Sequence, residues 1–391
     1  MAERRKVGLV LAGAGARGAY EAGALAALLP RLEAAQQLPR VLMGTSAGSI
    51  NAAYLAAQLH LGAEGATRGL LDFWRSLDKS RLLGPLALTA VPALLGYAGR
   101  IAYLPTGSGS IASFGRFPEV FDEAVGDWER IGANVDAGVL DAVGVVATAA
   151  ATGGSVVFTQ HSSGVALPPP DEVKGIRYVG ARIRTDHVIA SSSIPVFFPA
   201  KHVDEPAEAR GWYWDGGTRL NTPIAPALAI GVDALVIVAT DPPRHPSADQ
   251  MGESPRPDFD DAALSVLQAT LDDPLIEDLQ ALVRVNSLLS ASGQDELDGR
   301  RRYEYVFAGP EGHGTIGRIA AQVLRERYGG PLRALSDFAI LDRLLGRQGP
   351  EQAELQSYLL FDTDFIERII AMGRADGEVA WRRGWLSDRL P

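Results

Sequence analysis

Cysteine is absent from this chain of 391 residues. That excludes disulfides, thiolate metal sites and a cysteine nucleophile. Histidine is scarce, with six residues and no H-x-x-x-H pair. Surface or loop positions are expected for most of them, and neither a metal nor a cofactor is implied. A positive charge balance is lacking too. The formal net charge of −10 argues against nucleic-acid binding and against electrostatic capture by anionic headgroups. Any membrane contact must then be apolar or local. Long uninterrupted apolar runs are also missing. Residues 82–104 approach the ~20 residues of a bilayer span, but Pro85, Pro92, three glycines and Arg100 interrupt them. Arg4-Arg5-Lys6 ahead of Val7–Leu11 imitates a secretion signal. A signal's apolar core runs about 7–15 residues, and glycines cut this one short, so it reads as structure. What is present is ordinary for a globular protein: 47% hydrophobic and 21% charged residues. At about 150 residues per domain, the length allows two or three units.

Val7–Ala12 is a short apolar run ended by glycine and predicts a buried strand. Gly13-Ala14-Gly15-Ala16-Arg17-Gly18 follows and enters an Ala/Leu-rich helix expected to run to about Leu29. A glycine-rich turn at a helix N-terminus presents N–H groups to an anion. That anion is a phosphate or the oxyanion of an acyl-transfer intermediate. The same six residues spell G-x-G-x-x-G, the dinucleotide fingerprint. The fingerprint also needs an acidic residue about 20 residues on, at the end of the next strand. Here that strand ends in Met43-Gly44-Thr45-Ser46, with no Asp or Glu. A nucleotide-binding enzyme using the Gly13–Gly18 loop is therefore the alternative reading, not the first.

Gly44-Thr45-Ser46-Ala47-Gly48 is a G-x-S-x-G sequence, the mark of a strand-to-helix turn that lifts a serine hydroxyl clear of the backbone. Gly44 and Gly48 flank the serine because side chains in so tight a turn would collide. Arg40–Met43 predicts the strand before it and Ser49–Ala57 the helix after it. Only one earlier strand fits ahead of this serine, unlike the several of an α/β-hydrolase. Two more clusters follow. Ala190-Ser191-Ser192-Ser193-Ile194-Pro195 comes after a predicted helix. Trp214-Asp215-Gly216-Gly217 comes after a short aromatic strand, with Asn221 and Pro223 next.

In this order the four motifs resemble the patatin-like phospholipase family. The resemblance spans about residues 7–240 and is fainter over 359–374. One departure is Ala14, where many relatives carry a third glycine; a methyl group fits there if φ is negative. The resemblance implies an α/β fold with a mostly parallel central sheet, helices on both faces and a helical C-terminal extension. It implies a lipid acyl hydrolase that cleaves carboxylic esters with a Ser–Asp dyad. On this chain the nucleophile is Ser46 and the base Asp215, without a histidine between them. The backbone of Gly13, Ala14, Gly15, Ala16, Arg17 and Gly18 forms the oxyanion hole, with the N–H of Ala47. Gly44 and Gly48 shape the elbow, and Gly216 and Gly217 follow the base. A Ser…Asp…His triad would instead need His245 or His313.

Taken singly, each motif has a plainer reading. Ser46 can cap a helix, and D-G-G can be a simple turn. Arg17 is expected to tie the loop to a carboxylate rather than bind an anion. Ser191–Ser193 are expected to shape the site wall through local hydrogen bonds. Partial burial beside Trp212, Tyr213 and Trp214 is expected to raise Asp215 above its free value of about 3.9.

Further strands are expected at 141–149, 155–160, 231–239 and 303–307, and helices at 260–289, 317–328, 335–345 and 352–372. Residues 242–258 read as a loop. Residues 1–310 are expected to form the catalytic domain and 311–391 a helical cap. Residues 82–104 are expected to cover an acyl-binding cleft and touch membrane peripherally, with Gly107–Ser110 as a flexible edge. The partner expected is a lipid or ester substrate, not nucleic acid, and the place a cytoplasmic one at the membrane periphery. An inactive membrane-interaction module is the remaining alternative. Nothing in the sequence indicates an oligomeric state.

Overall fold

The computed structural model describes residues 5–77, 115–195, 197–244, 259–297, 300–328 and 350–391. The expected cover at 82–104, its edge at 107–110, the helix at 335–345, His245 and most of the loop at 242–258 lie outside the described residues.

The strands of the central sheet are β1 (Val7–Leu11), β2 (Val41–Thr45), β3 (Ala142–Ala149), β4 (Ser155–His161), β5 (Ile176–Gly180), β6 (Lys201–Val203), β7 (Gly211–Asp215), β8 (Ala234–Val238) and β9 (Glu304–Ala308). They form one nine-stranded sheet in the order β9-β8-β1-β2-β3-β4-β5, with β7 paired to β3 and β6 to β7. Five neighbouring pairs are parallel: β8 with β9, β1 with β8, β1 with β2, β2 with β3 and β4 with β5. The β3–β4 hairpin, β3–β7 and β6–β7 are antiparallel.

The helices are α1 (Gly18–Ala34), α2 (Ala47–Gln58), α3 (Gly62–Ser76), α4 (Phe117–Val125), α5 (Glu129–Asp136), α6 (Thr185–Ser191), α7 (Ile224–Ala229), α8 (Phe259–Ser292), α9 (Thr315–Tyr328), α10 (Pro350–Leu359) and α11 (Thr363–Arg383). No helix among the described residues is long and apolar enough to cross a membrane.

Strand alternation explains why helices cover both faces. Val7, Leu9 and Leu11 of β1 enter one core with α1, α2, α3 and α11. Val10 enters the other with α7 and the C-terminal half of α8. A parallel strand buried on both faces reads as a continuous apolar run, and V-G-L-V-L is such a run, buried throughout. The mostly parallel α/β architecture is the one the motifs implied.

Two helix boundaries differ from the sequence expectation. α1 runs past Pro30 to Ala34. Leu32 is fully buried and Arg31 pairs with Glu378 of α11 at 2.7 Å, so tertiary contacts hold a turn that proline disfavours. The expected helix at 352–372 is two helices. The first ends at Leu359 and Asp362 caps the second, its side chain accepting from the N–H groups of Asp364 and Phe365. A side-chain acceptor at that position starts a new helix.

α1 and α11 cross in close contact through small residues. A Cβ on Gly373 would overlap the carbonyl of Tyr20, one on Gly23 the carbonyl of Ile370, and one on Gly377 would lie 2.7 Å from the carbonyl of Ala24. Gly373→Ala must therefore push the two backbones apart. Such overpacking costs about 1–3 kcal/mol, and a lowered unfolding midpoint by calorimetry, relative to the same change at Gly211, where a Cβ would meet nothing within 4 Å, is the expected result.

Candidate active site

Ser46 and Asp215 meet because two strands end head-on against the same edge of β3. β2 runs parallel to β3 and ends with Thr45 opposite Val146. β7 runs antiparallel to β3 and ends with Asp215 opposite Ala147. β4 occupies the other edge of β3, so the ends of β2 and β7 face one another. Ser46 follows Thr45 directly. The chain after β7 passes so close that a Cβ on Gly216 would overlap the carbonyl of Val146.

Ser46 has φ 51° and ψ −124°. Apart from glycines, only Gln36 shares a positive φ among the described residues. Such a conformation costs on the order of 1–3 kcal/mol and persists where the surroundings over-determine it. They do so here. A Cβ on Gly44 would overlap the carbonyl of Gly48, and one on Gly48 would lie 2.6 Å from the carbonyl of Ala12. The Ser46 N–H donates to Ser191 Oγ at 2.9 Å, and that hydroxyl donates to the Val146 carbonyl at 2.5 Å. The Ser46 carbonyl accepts from the N–H of Ser49 at 2.8 Å and from its Oγ at 2.6 Å. The elbow is thus held by its backbone.

Asp215 is 2% exposed. Its N–H donates to the Ser193 carbonyl at 2.9 Å. Its carbonyl accepts from the hydroxyls of Thr148 and Thr218 at 3.0 and 2.9 Å. Oδ1 accepts from the N–H of Gly217 at 2.7 Å. Oδ2 is buried and makes no hydrogen bond of normal geometry among the described residues. Burial pushes the carboxyl up to about 7, and the Ser46 hydroxyl and the Gly217 N–H pull against that rise. The Ser46 hydroxyl therefore bears on the carboxylate while falling short of a well-formed hydrogen bond. Catalytic hydrogen bonds are commonly loose before substrate is bound. The expected aromatic surround is met in part: Tyr213, two residues before Asp215 on β7, is buried. Trp212 is 58% exposed and stands against His202 on the outside of the sheet. Thr148 of β3 and Gly217 of the D-G-G turn also hold Asp215.

Ser191 and Ser193 lie on the wall between the two groups. One holds the N–H of Ser46, the other the N–H of Asp215. Ser191→Ala removes two buried hydrogen bonds, at about 1–3 kcal/mol for each group left unsatisfied. A lower unfolding midpoint together with slower turnover is expected, and unchanged turnover would show that the elbow does not need this hydroxyl.

The glycine loop lies against the elbow. A Cβ on Gly13 would lie 3.2 Å from the Cβ of Ser46, and one on Gly18 would lie 2.8 Å from the Cβ of Ala47. Gly15 has φ 54°, whereas Ala14 has φ −150°, so a methyl group at position 14 is tolerated. Three N–H groups of the loop serve the chain itself. Gly13 donates to the Asn221 carbonyl at 2.9 Å, Arg17 to the Ala14 carbonyl at 3.0 Å, and Gly18 to the carbonyls of Gly15 and Ala16. Gly15 and Ala47 border a narrow cavity of about 50 Å³ with Ser46. Their N–H groups make no hydrogen bond among the described residues. Ala47 opens α2, where an N–H has no partner within the helix. Ala16 is buried beside them.

Arg17 points away from the cavity. It is 1% exposed and ion-paired with Glu354 of α10 and, at 3.4 Å, with Asp241. It thus ties the loop to carboxylates. No histidine among the described residues bonds to Ser46 or Asp215. His187 contacts Glu205 and Arg184, and His313 contacts the Arg244 carbonyl.

The rest of the cavity is apolar: Ile50, Trp74, Phe117, Ile194, Phe198 and residues of the 358–361 segment. Ser192 reaches it as well, its buried Oγ without a partner among the described residues. Sequence reasoning did not find Trp74, Phe117 or Phe198. They belong to elements far apart in the chain and carry no local motif.

The model of the family described as patatin-like phospholipase matches residues 9–150 and 183–228. Those ranges hold the glycine loop, the elbow, the serine cluster and the D-G-G turn, and leave out α10. Among solved structures, VipD from Legionella pneumophila is similar at 12% identity, over 96% of this chain and 88% of its own, with a TM-score of 0.32. A likeness at that score bears no weight for the site. No curated protein matches the chain significantly.

Proposed function

Because this chain belongs to the patatin-like phospholipase family, we propose that it is a serine acyl hydrolase acting on lipid carboxylic esters through Ser46 and Asp215. The observation that carries the reading is the head-on meeting of β2 and β7 at Val146–Ala147, with Ser46 held at φ 51°. Ser46 Oγ attacks the ester carbonyl, and its proton passes to Oδ2 of Asp215. The N–H groups of Gly15 and Ala47 receive the developing oxyanion; a donor of this kind contributes about 3–4 kcal/mol. The tetrahedral intermediate collapses, and the alkoxide leaves with the proton from Asp215. Water then attacks the acyl-serine, giving its proton to Asp215, and the acid departs as Ser46 is restored.

The apolar cavity beside Ser46 favours a hydrocarbon substituent over a nucleotide. The nucleotide alternative would require phosphate at a loop whose arginine is already ion-paired with Glu354. Two tests separate the readings. A fluorophosphonate probe is expected to label Ser46, with Ser46→Ala as the control. A panel of soluble esters and phospholipids is expected to be hydrolysed by the same protein. Absence of labelling together with absence of hydrolysis would remove the proposal.

A further inference from the structure

We propose that α10 and the turn after it, residues 350–361, form the wall that selects the acyl chain, although they lie outside the family-matched ranges. This rests on the hydrolase reading above. Three observations carry it.

First, Tyr358, Leu359 and Phe361 border the same cavity as Ser46, Gly15 and Ala47. What they bring to it is apolar surface, the surface a hydrocarbon chain needs rather than a charged headgroup.

Second, α10 is seated directly on the oxyanion turn. A Cβ on Gly15 would overlap the carbonyl of Tyr358. Arg17, from the same turn, reaches back to the helix. Its Nε donates to Ser357 Oγ at 2.6 Å, Nη2 donates to the Glu354 carbonyl at 2.7 Å, and the guanidinium pairs with the Glu354 carboxylate. The guanidinium lies 4.0 Å from the ring centre of Tyr358. A buried arginine must be fully partnered, and these partners come mainly from α10.

Third, the end of the wall is fixed. The Phe361 N–H donates to the Leu359 carbonyl at 3.1 Å. The next residue, Asp362, caps α11 and accepts from Arg327 at 3.2 Å and from the Tyr328 hydroxyl at 2.8 Å. A wall tied both to the oxyanion turn and to α11 keeps its distance from Ser46. Only a rigid wall can measure the length of a chain.

The test is acyl-chain preference. The ratio of kcat/KM for p-nitrophenyl octanoate to that for p-nitrophenyl acetate is measured in the wild type and in Leu359→Ala, Phe361→Ala and Leu359→Trp. A methylene-sized change in an apolar pocket alters discrimination by about 10–200-fold. The two alanine variants are expected to raise the ratio at least about tenfold, and the tryptophan variant to lower it by a similar factor. Glu354→Gln leaves the lining side chains in place and loosens the clasp that holds them, so it is expected to slow both esters and to move the ratio by less than either alanine variant. If the alanine variants fail to fold, Leu359→Val and Phe361→Leu carry the same comparison with smaller shifts in the same direction. Ratios within threefold of wild type in every folded wall variant, with both esters still hydrolysed, would overturn this inference alone. A wild type that hydrolyses neither ester and takes up no fluorophosphonate would overturn the hydrolase reading beneath it.

Discussion

Ser46→Ala is expected to lower ester turnover by at least about a thousandfold, the scale of loss when one member of a catalytic unit is removed. Asp215→Asn is expected to do the same, and the double variant to be no worse than either. The reasoning is geometric. One group carries the bond to carbon and the other carries the proton, so neither does useful chemistry alone. Folding should survive both changes. The elbow is fixed by the N–H and carbonyl of Ser46, bound to Ser191 and Ser49. Asp215 is fixed by its own backbone and by the Gly217 N–H, which an amide oxygen accepts equally well. Turnover of Ser46→Ala within tenfold of wild type would overturn the assignment of the nucleophile. A double variant far worse than both singles would show that the two residues act separately.

The second large effect is on pH. A general base must be ionised to work. With its carboxyl raised to about 7 by burial, Asp215 is mostly protonated in mildly acidic solution. The rate constant kcat/KM is therefore expected to fall about tenfold per pH unit below 7 and to level off above it. A limb centred near 4 would mean that the carboxylate is solvated during turnover. Stability should move the other way. The folded state holds the Asp215 proton up to about 7, whereas the unfolded chain releases it near 3.8. The stabilising contribution of the protonated group is complete below the unfolded value and is lost as pH rises toward 7. Asp215→Asn cannot ionise, so it removes that loss. At pH 8 the inactive variant is expected to unfold at a higher temperature than the wild type. An enzyme that keeps a buried carboxylate for catalysis gives up stability for it. A denaturation series for both proteins between pH 5 and 8 checks the sign, and parallel curves would contradict it.

The legible parts of the fold were those whose cause is local. The elbow could be read from G-x-S-x-G because a serine at positive φ needs glycines on both sides, and Gly44 and Gly48 abut backbone atoms. The core strands were visible because parallel strands buried on both faces leave apolar runs without alternation. At Ala14 the sequence set a condition, that φ not be positive, and the structure met it with φ −150°. Arg17 was expected to meet a carboxylate. Which carboxylate could not be known, because Glu354 lies on a helix that packs against the loop from the far end of the chain.

Other features had no local cause. Trp212, Tyr213 and Trp214 suggested an aromatic surround, but alternation along β7 turns Trp212 outward and only Tyr213 inward with the carboxylate. The helix expected to end near Leu29 runs on to Ala34, because packing against α11 overrides Pro30. The sequence by itself determined the order of the motifs, the residue types available for chemistry and the strands on which they sit. These depend on φ, on side-chain volume and on apolar periodicity, all carried within a few residues. Only the tertiary structure decided that β2 and β7 end against one another on β3, that Asp215 is buried, and that α10 packs on the glycine loop. Register, burial and contact between distant segments depend on how the whole chain packs.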